Sequence, residues 1–259
     1  MLKSFFVFMA LISTTFVVNA QEALPQENEQ TETTVQVTTD FTNTDIEEQL
    51  ISADIAMIET LKTEEFDFNQ KDNNGNPPLY YLLSRNPDLE VAKKAIEYGA
   101  DVNMPSKSGI IPLNIATSKA NELQLQIMMM KTMGLDTDNP EIQEELKKTL
   151  FREMTKAIEM TQMLVDNGAD VNLESTLGTP LMNAVTNVWN LDIVKILLDA
   201  GADVNAVDKN GKTALFYAYA SSNDEVVDLL IEKGADTSIK DNEGKVYSDM
   251  EKVNVAPAL

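Results

Sequence analysis

LDIVKILLDAGADVN, residues 191–205, decides how this chain folds. Its apolar residues Leu191, Val194, Leu197 and Leu198 recur at the three- and four-residue spacing that places them on one face of a helix. Gly201 supplies the left-handed residue that stops such a helix, because a residue without Cβ enters that conformation freely. One side of the helix must then be covered. GADVN stands also at 99–103 and 168–172, and GADTS at 234–238, so the leading glycines are separated by 69, 33 and 33 residues. Ten residues after each comes a second glycine, Gly109, Gly178, Gly211 and Gly244, in turns such as DKNG (208–211) and DNEG (241–244). Pro112 and Pro180 open the helix that precedes, where proline's missing N–H is no loss. Each unit is turn, helix, turn, helix. No unit buries its apolar face alone, so neighbours stack, and about three or more are needed for stability.

A 33-residue period with a hairpin turn, an xPL helix start and a second helix ending in GADVN resembles the ankyrin repeat. The resemblance implies an all-α ankyrin-repeat solenoid of stacked helix-turn-helix units with short hairpin turns, over residues 45–252. Repeats are expected at about 45–71, 72–105, 106–174, 175–207 and 208–240, with a cap at 241–252 and a tail at 253–259. The first is degenerate, with Glu65 where a glycine would stand, 34 residues before Gly99, and reads as an N-terminal cap. In the cap, GKVYSDMEK (244–252) mimics the next first helix. Ankyrin repeats usually carry a histidine after the PL pair, and here those positions hold Tyr80, Asn114, Met182 and Phe216. Helix burial contributes more than one net hydrogen bond of about 1 kcal/mol, so this departure bears on rigidity and not on the fold. The fourth repeat drops a residue after Gly178 and gains one near Trp189.

Two architectures fit the 69-residue interval. In the favoured one, Leu113, Ala116, Ala120, Leu123, Ile127 and Met130 form the seam of a helix from Pro112 to Met133. A second helix, capped by Asp138 or Asn139 with Pro140 in its first turn, runs to Asp166 through Ile142, Leu146, Leu150, Met154, Ala157 and Leu164. The third repeat then carries a long helical-hairpin insertion at about 119–154. In the other, GLDTDN (134–139) is a degraded GADVN and the interval holds two eroded repeats.

The 259-residue chain carries 42 acidic and 20 basic side chains, a formal charge of −22, with no Lys or Arg between Lys3 and Lys62, which argues against nucleic acid as a partner. Histidine and cysteine are absent, removing imidazole and thiol chemistry, disulfides and the usual transition-metal ligands. Lys3 precedes the apolar run Phe5–Val18, and Val18 and Ala20 place small residues at the cleavage-determining positions, so residues 1–20 read as a secretory signal peptide. A membrane span needs about 20 apolar residues, and this run is shorter and broken by Ser13, Thr14 and Thr15. The mature chain is expected to begin at Gln21, without a membrane span. Residues 21–44, rich in Thr, Gln and Glu, read as a disordered acidic linker. No Asn begins an N-x-Ser/Thr sequon, in keeping with a bacterial, exported protein in the periplasm or secreted beyond it.

DNNGN (72–76) and DKNGK (208–212) open like a calcium loop but lack the sixth-position glycine and the twelfth-position glutamate, so they read as hairpin turns. The acids at Asp136, Asp138, Glu141, Glu144 and Glu145 suit a helix start. Met128, Met129, Met130, Met133, Met154, Met160 and Met163 read as core filling between the paired helices, with a partner groove as the alternative. No catalytic residue, cofactor or metal is expected.

The resemblance implies a non-catalytic scaffold that binds another protein. On ankyrin-like geometry, hairpin and first-helix positions carry recognition: Asn76, Arg85, Lys107, Ser108, Lys209, Asn210, Lys212 and Ser221. Tyr217 stands among the first-helix aromatics Tyr80, Tyr81, Phe216 and Tyr219, which serve either a partner or the packing between repeats. Trp189 is equally a binding hot spot or a packing plug. The rival functions are a secreted effector gripping a host protein and a carboxylate-dependent hydrolase, which requires paired acids with raised pKa in a cleft.

Overall fold

The computed structural model describes residues 45–86, 88–132, 139–187 and 190–252, and the backbone alone for 45, 46 and 120–128. The leader, the linker, Met133, Asp136, Asp138, Trp189 and the tail lie outside the described residues, as do the side chains of Ala120, Leu123, Ile127 and Met128.

Helices come in pairs. The first members are α1 (Asp45–Ile51), α3 (Pro78–Ser84), α5 (Pro112–Thr132), α7 (Pro180–Ala184) and α9 (Ala214–Ala220). The second members are α2 (Ile55–Thr63), α4 (Leu89–Glu97), α6 (Pro140–Asp166), α8 (Leu191–Asp199) and α10 (Asp224–Glu232). First helices pack on first helices and second on second, in two layers, and among the described residues there is no β-strand. This is the expected all-α solenoid.

Every second helix ends the same way. In α8, Gly201 takes φ +91°, its N–H donates to Leu198 O at 3.1 Å, and the Ala202 N–H donates to Leu197 O at 2.9 Å. That pair of bonds closes the last turn and satisfies carbonyls the helix would leave bare. Glu65 adopts φ +57° and makes the same two bonds, Glu65 N–H to Lys62 O and Phe66 N–H to Leu61 O, at 3.2 and 3.0 Å. A residue with Cβ pays about 1 kcal/mol for that conformation, so the degenerate first repeat keeps the cap geometry at a cost.

The buried stripe of α8 is Ile193, Val194 and Leu197, which corrects the expected face, since Leu191 and Leu198 are only half-buried. The reason is that α8 is flanked by α6 on one side and α10 on the other, which turns the covered arc toward Ile193.

Three hydrogen-bond ladders tie the repeats together in place of the missing histidines. At the GADVN edge each asparagine bridges forward: Asn69, Asn103, Asn172 and Asn205 donate to the carbonyls of Gly99, Gly168, Gly201 and Gly234 at 2.9–3.3 Å. The same side chains accept from the N–H groups of Asp101, Asp170, Asp203 and Asp236 at 2.7–2.8 Å. At the loops between paired helices, buried Asn86, Asn190 and Asn223 reach back to backbone carbonyls of the preceding repeat, Leu50 and Ala53, Thr117, and Asn187 respectively. The third ladder joins hairpin tips and is described below.

Asn103 bonds directly to Gly168 and Asp170, which places residues 99–103 and 168–172 in adjacent layers. The interval therefore holds one repeat, whose helices α5 and α6 pair along the insertion. Asn139 is the cap of α6, accepting from the Glu141 N–H at 2.9 Å. Leu113, Ala116 and Met130 face Leu146, Ala157, Met160 and Leu164 in the buried seam, while Ile142, Leu150 and Met154 are half-buried and Met129 is exposed. The insertion displaces the loop that would hold a ladder asparagine, and two lysines serve instead: Lys119 Nζ donates to Ser84 O at 2.9 Å and Lys156 Nζ to Asn86 O at 3.1 Å. These carbonyls lie at the end of α3, where the helix dipole favours a cation.

The expected helical cap is reduced to one 3₁₀ turn, Tyr247–Asp249. The Asp249 carboxylate accepts from the Val246 N–H at 3.0 Å and closes the turn on itself. Tyr247 nevertheless covers α9, edge-on to Tyr219 at 5.3 Å between centroids.

Candidate protein-binding site

Hairpin length sets the site. In the second, third and fifth repeats and the cap, the first turn residue donates to the carbonyl four positions on: Asp72 to Asn76, Ser106 to Ile110, Asp208 to Lys212, Asp241 to Lys245, at 2.8–3.0 Å. The fourth hairpin lacks one residue, and Ser175 closes on Gly178, three positions on, at 3.1 Å. This shorter tip leans toward the third repeat. Thr176 Oγ1 donates to Ser108 O at 3.0 Å, and a Cβ at Gly109 would stand 2.8 Å from Thr176 Cγ2, so the approach requires glycine there. The second tip joins the third through Lys107 N–H to Asn76 Oδ1 at 3.1 Å, and the fifth joins the cap through Asn242, which donates to Lys209 O and Asn210 O. Among the described residues no hydrogen bond joins the fourth tip to the fifth. A cavity of about 250 Å³ opens at that break, walled by Glu174 to Gly178 and Met182 on one side and by Asp208, Lys209, Asn210 and Tyr217 on the other.

The far wall is hydrogen-bonded within itself. The Asp208 carboxylate accepts from the N–H groups of Asn210 and Lys212 at 2.9 and 2.8 Å, from Asn210 Nδ2 at 3.0 Å and from the Tyr217 hydroxyl at 2.6 Å. Burial works against its charge, but the hydrogen bonds from Tyr217, Lys212 and Asn210 prevail and hold its carboxyl below the usual carboxylate range. Burial and then the bond to Asp208 push the Tyr217 hydroxyl up to about 12. The second repeat repeats the device: Tyr81 donates to Asp72 at 2.5 Å and is likewise pushed up to about 12, by burial and then by Asp72. These carboxylates are thus engaged within their own hairpins, which is the turn reading of DNNGN and DKNGK. Asp208 is displaced in the opposite direction from the raised acid that the hydrolase alternative requires.

The structure brings Lys209, Asn210 and Tyr217 together at the cavity, with the Lys212 N–H held by Asp208 at its edge. Ser221 caps the end of α9 away from it. Asn76, Lys107 and Ser108 cluster at the second and third tips, where Asn76 also bonds Tyr81. Arg85 is paired with Glu47 across the first and second repeats. Tyr81 and Phe216 are core, whereas Tyr80, Tyr217 and Tyr219 are half-buried. Sequence reasoning missed Thr176, Leu177, Met182 and Asp208. A signal for the last existed: both repeats that open on Asp carry Tyr nine residues later, and those that open on Ser106 and Ser175 carry Ile115 and Ala184 there.

The two tyrosines predict a pH dependence. Their folded values near 12 exceed the ordinary value of 10, so the folded chain keeps protons that the unfolded chain releases. The stability they contribute is complete below pH 10 and is lost as pH rises toward 12. Melting curves across this range should fall more steeply for the parent than for a Tyr81→Phe/Tyr217→Phe variant; parallel curves would refute the coupling.

Stacked helix pairs with hairpin tips along one edge define a repeat scaffold, a class whose surfaces bind other macromolecules. Residues 153–241 match the family model for ankyrin repeats (3 copies). A stretch of 73 residues is 30% identical to a protein of Rickettsia felis described as an ankyrin repeat protein, spanning 28% of this chain and 19% of that relative. Residues 153–241 thus carry ankyrin repeats, the same repeat type that names this relative.

Proposed function

We propose that this chain is a non-catalytic scaffold, exported by its leader, that grips a protein partner at the fourth and fifth hairpin tips. The observation that carries the reading is the break in the tip ladder. There Leu177 stands 47% exposed beside the Asp208–Tyr217 wall, giving a mainly polar seat with one exposed apolar side chain for a partner residue. No helix among the described residues is long and apolar enough to cross a membrane. A protein partner follows from the ankyrin repeats, and the periplasm, or the medium for a secreted effector, from the leader.

A photo-crosslinking residue at position 177, introduced in the producing cell, is expected to capture one protein reproducibly, while the same group at exposed Asp228 on α10 captures none. Equal yields at both positions would overturn the site. Fractionation of the same cells with intact-mass measurement tests export: the chain should start at Gln21 outside the cytoplasm, and a cytoplasmic chain retaining residues 1–20 would overturn that part.

A further inference from the structure

We propose that the outward face of α6 is a self-association surface on which α6 of a second copy docks antiparallel. The inward face of this helix is accounted for by Leu146, Ala157, Met160 and Leu164, which are buried toward α5 and the repeat core. The opposite face carries Glu144, Lys148, Phe151 and Arg152, all exposed. Phe151 is 75% exposed, and among the described residues it is the only aromatic of the exposed large hydrophobics, the others being Ile, Leu, Val and Met at 40–52%.

Charge along this stripe is segregated. Glu141, Glu144 and Glu145 fill its first turns, and Lys147, Lys148 and Arg152 follow. Helix-dipole preference explains acids at the start but neither the bases in mid-helix nor the phenylalanine among them. Such a helix is complementary to itself when reversed. With Glu145 against the partner's Lys148, two-fold symmetry sets Glu141 near the partner's Arg152 and lays Phe151 along the first turn of the partner's helix. The bonds that now hold these charges, Lys148 to Glu145 at 2.9 Å and Arg152 to half-buried Glu153 at 3.2 Å, lie at the surface and exchange partners at little cost. The chain as a whole carries −22, so copies repel at most approaches, and this stripe of nearly balanced charge is where one copy meets another with matched signs. The same balance disfavours an anionic membrane or a strongly acidic protein as the occupant.

Sedimentation of the purified chain over a concentration series should show a reversible dimer. Phe151→Glu, at a solvent-exposed position, should leave the melting curve intact and lower the association constant by roughly thirty-fold. Glu145→Lys and Lys148→Glu should each weaken association, and the double variant should restore it, because the reversed pair matches itself again. The chain has no cysteine, so Lys147→Cys, near the two-fold axis, should give an oxidant-induced covalent dimer that Glu159→Cys does not. A chain that stays monomeric throughout, a dimer indifferent to Phe151→Glu, or a double swap without rescue would overturn the proposal. None of these outcomes touches the hairpin-tip reading, whose crosslinking site is on another repeat.

Discussion

Replacing Asn86 by alanine should cost about 3 kcal/mol of stability, far more than the loss of its few atoms from the core. Its side chain is 3% exposed and makes three bonds: Nδ2 to Leu50 O at 2.9 Å and to Ala53 O at 3.0 Å, and Oδ1 from the Asp88 N–H at 2.8 Å. Truncation leaves polar backbone groups in the interior facing nothing, and each costs about 1 kcal/mol or more. Because, among the described residues, α1 and α2 stack on one side only, the damage should concentrate there, appearing in hydrogen exchange as early opening of residues 45–66. Asn114 supplies the contrast. It is 0% exposed, yet neither its Oδ1 nor its Nδ2 has a hydrogen-bond partner, so Asn114→Ala removes a desolvated polar group that returns nothing and should cost less than about 1 kcal/mol. Chemical denaturation of both variants decides the matter. Equal losses would mean that volume, and not hydrogen bonding, holds these loops.

Excision of residues 119–154 should leave a cooperatively folding protein, because the interval from Gly99 to Gly168 then becomes 33 residues and the direct bonds from Asn103 to Gly168 and Asp170 are kept. Leu113 and Ala116 on one side and Met163 and Leu164 on the other remain to fill the repeat. The shortened chain loses Lys119 as a donor to Ser84 O, and the join leaves Ala157 where Asn190 and Asn223 stand in the next repeats, eleven residues before the glycine. Adding Ala157→Asn to the excision should therefore recover about 1 kcal/mol by restoring the ladder donor. Thermal melting reads both steps, and sedimentation should show the excised chain monomeric, since Phe151 is gone. A shortened chain that aggregates or melts in two phases would mean that the insertion, and not the repeat beneath it, supports the neighbouring layers.

The methionines illustrate how far local patterning reaches. Met130, Met160 and Met163 are buried as core filling requires, but Met129, one residue away, is 46% exposed, because a helix turns adjacent residues to different sides and only packing selects which side is covered. Arg85 and Asn76 illustrate the limit for sites. Both are polar residues at positions that ankyrin-like geometry leaves open, and each is engaged by a neighbour, Glu47 in one case and Tyr81 with Lys107 in the other. The pairings with Lys107 and Glu47 join residues 31 and 38 positions apart and leave no periodic trace.

What the sequence by itself determined is everything written within one unit: the 33-residue period, the glycine caps, the proline helix starts and the hairpin turns. These depend on backbone conformation and on spacing within a few residues, and even Glu65 obeys them, since the closing bonds of the cap select the left-handed conformation over the preference of the side chain. What only the tertiary structure decided is which layers touch. The 69-residue interval was compatible with one repeat or two until Asn103 was found bonded to Gly168, and the one-residue deletion after Gly178 was visible without its consequence. A shortened turn changes little within its own repeat. It opens a cavity only because the fourth tip hydrogen-bonds back to the third while the fifth hydrogen-bonds forward to the cap, and the direction of those bonds is a property of stacked neighbours.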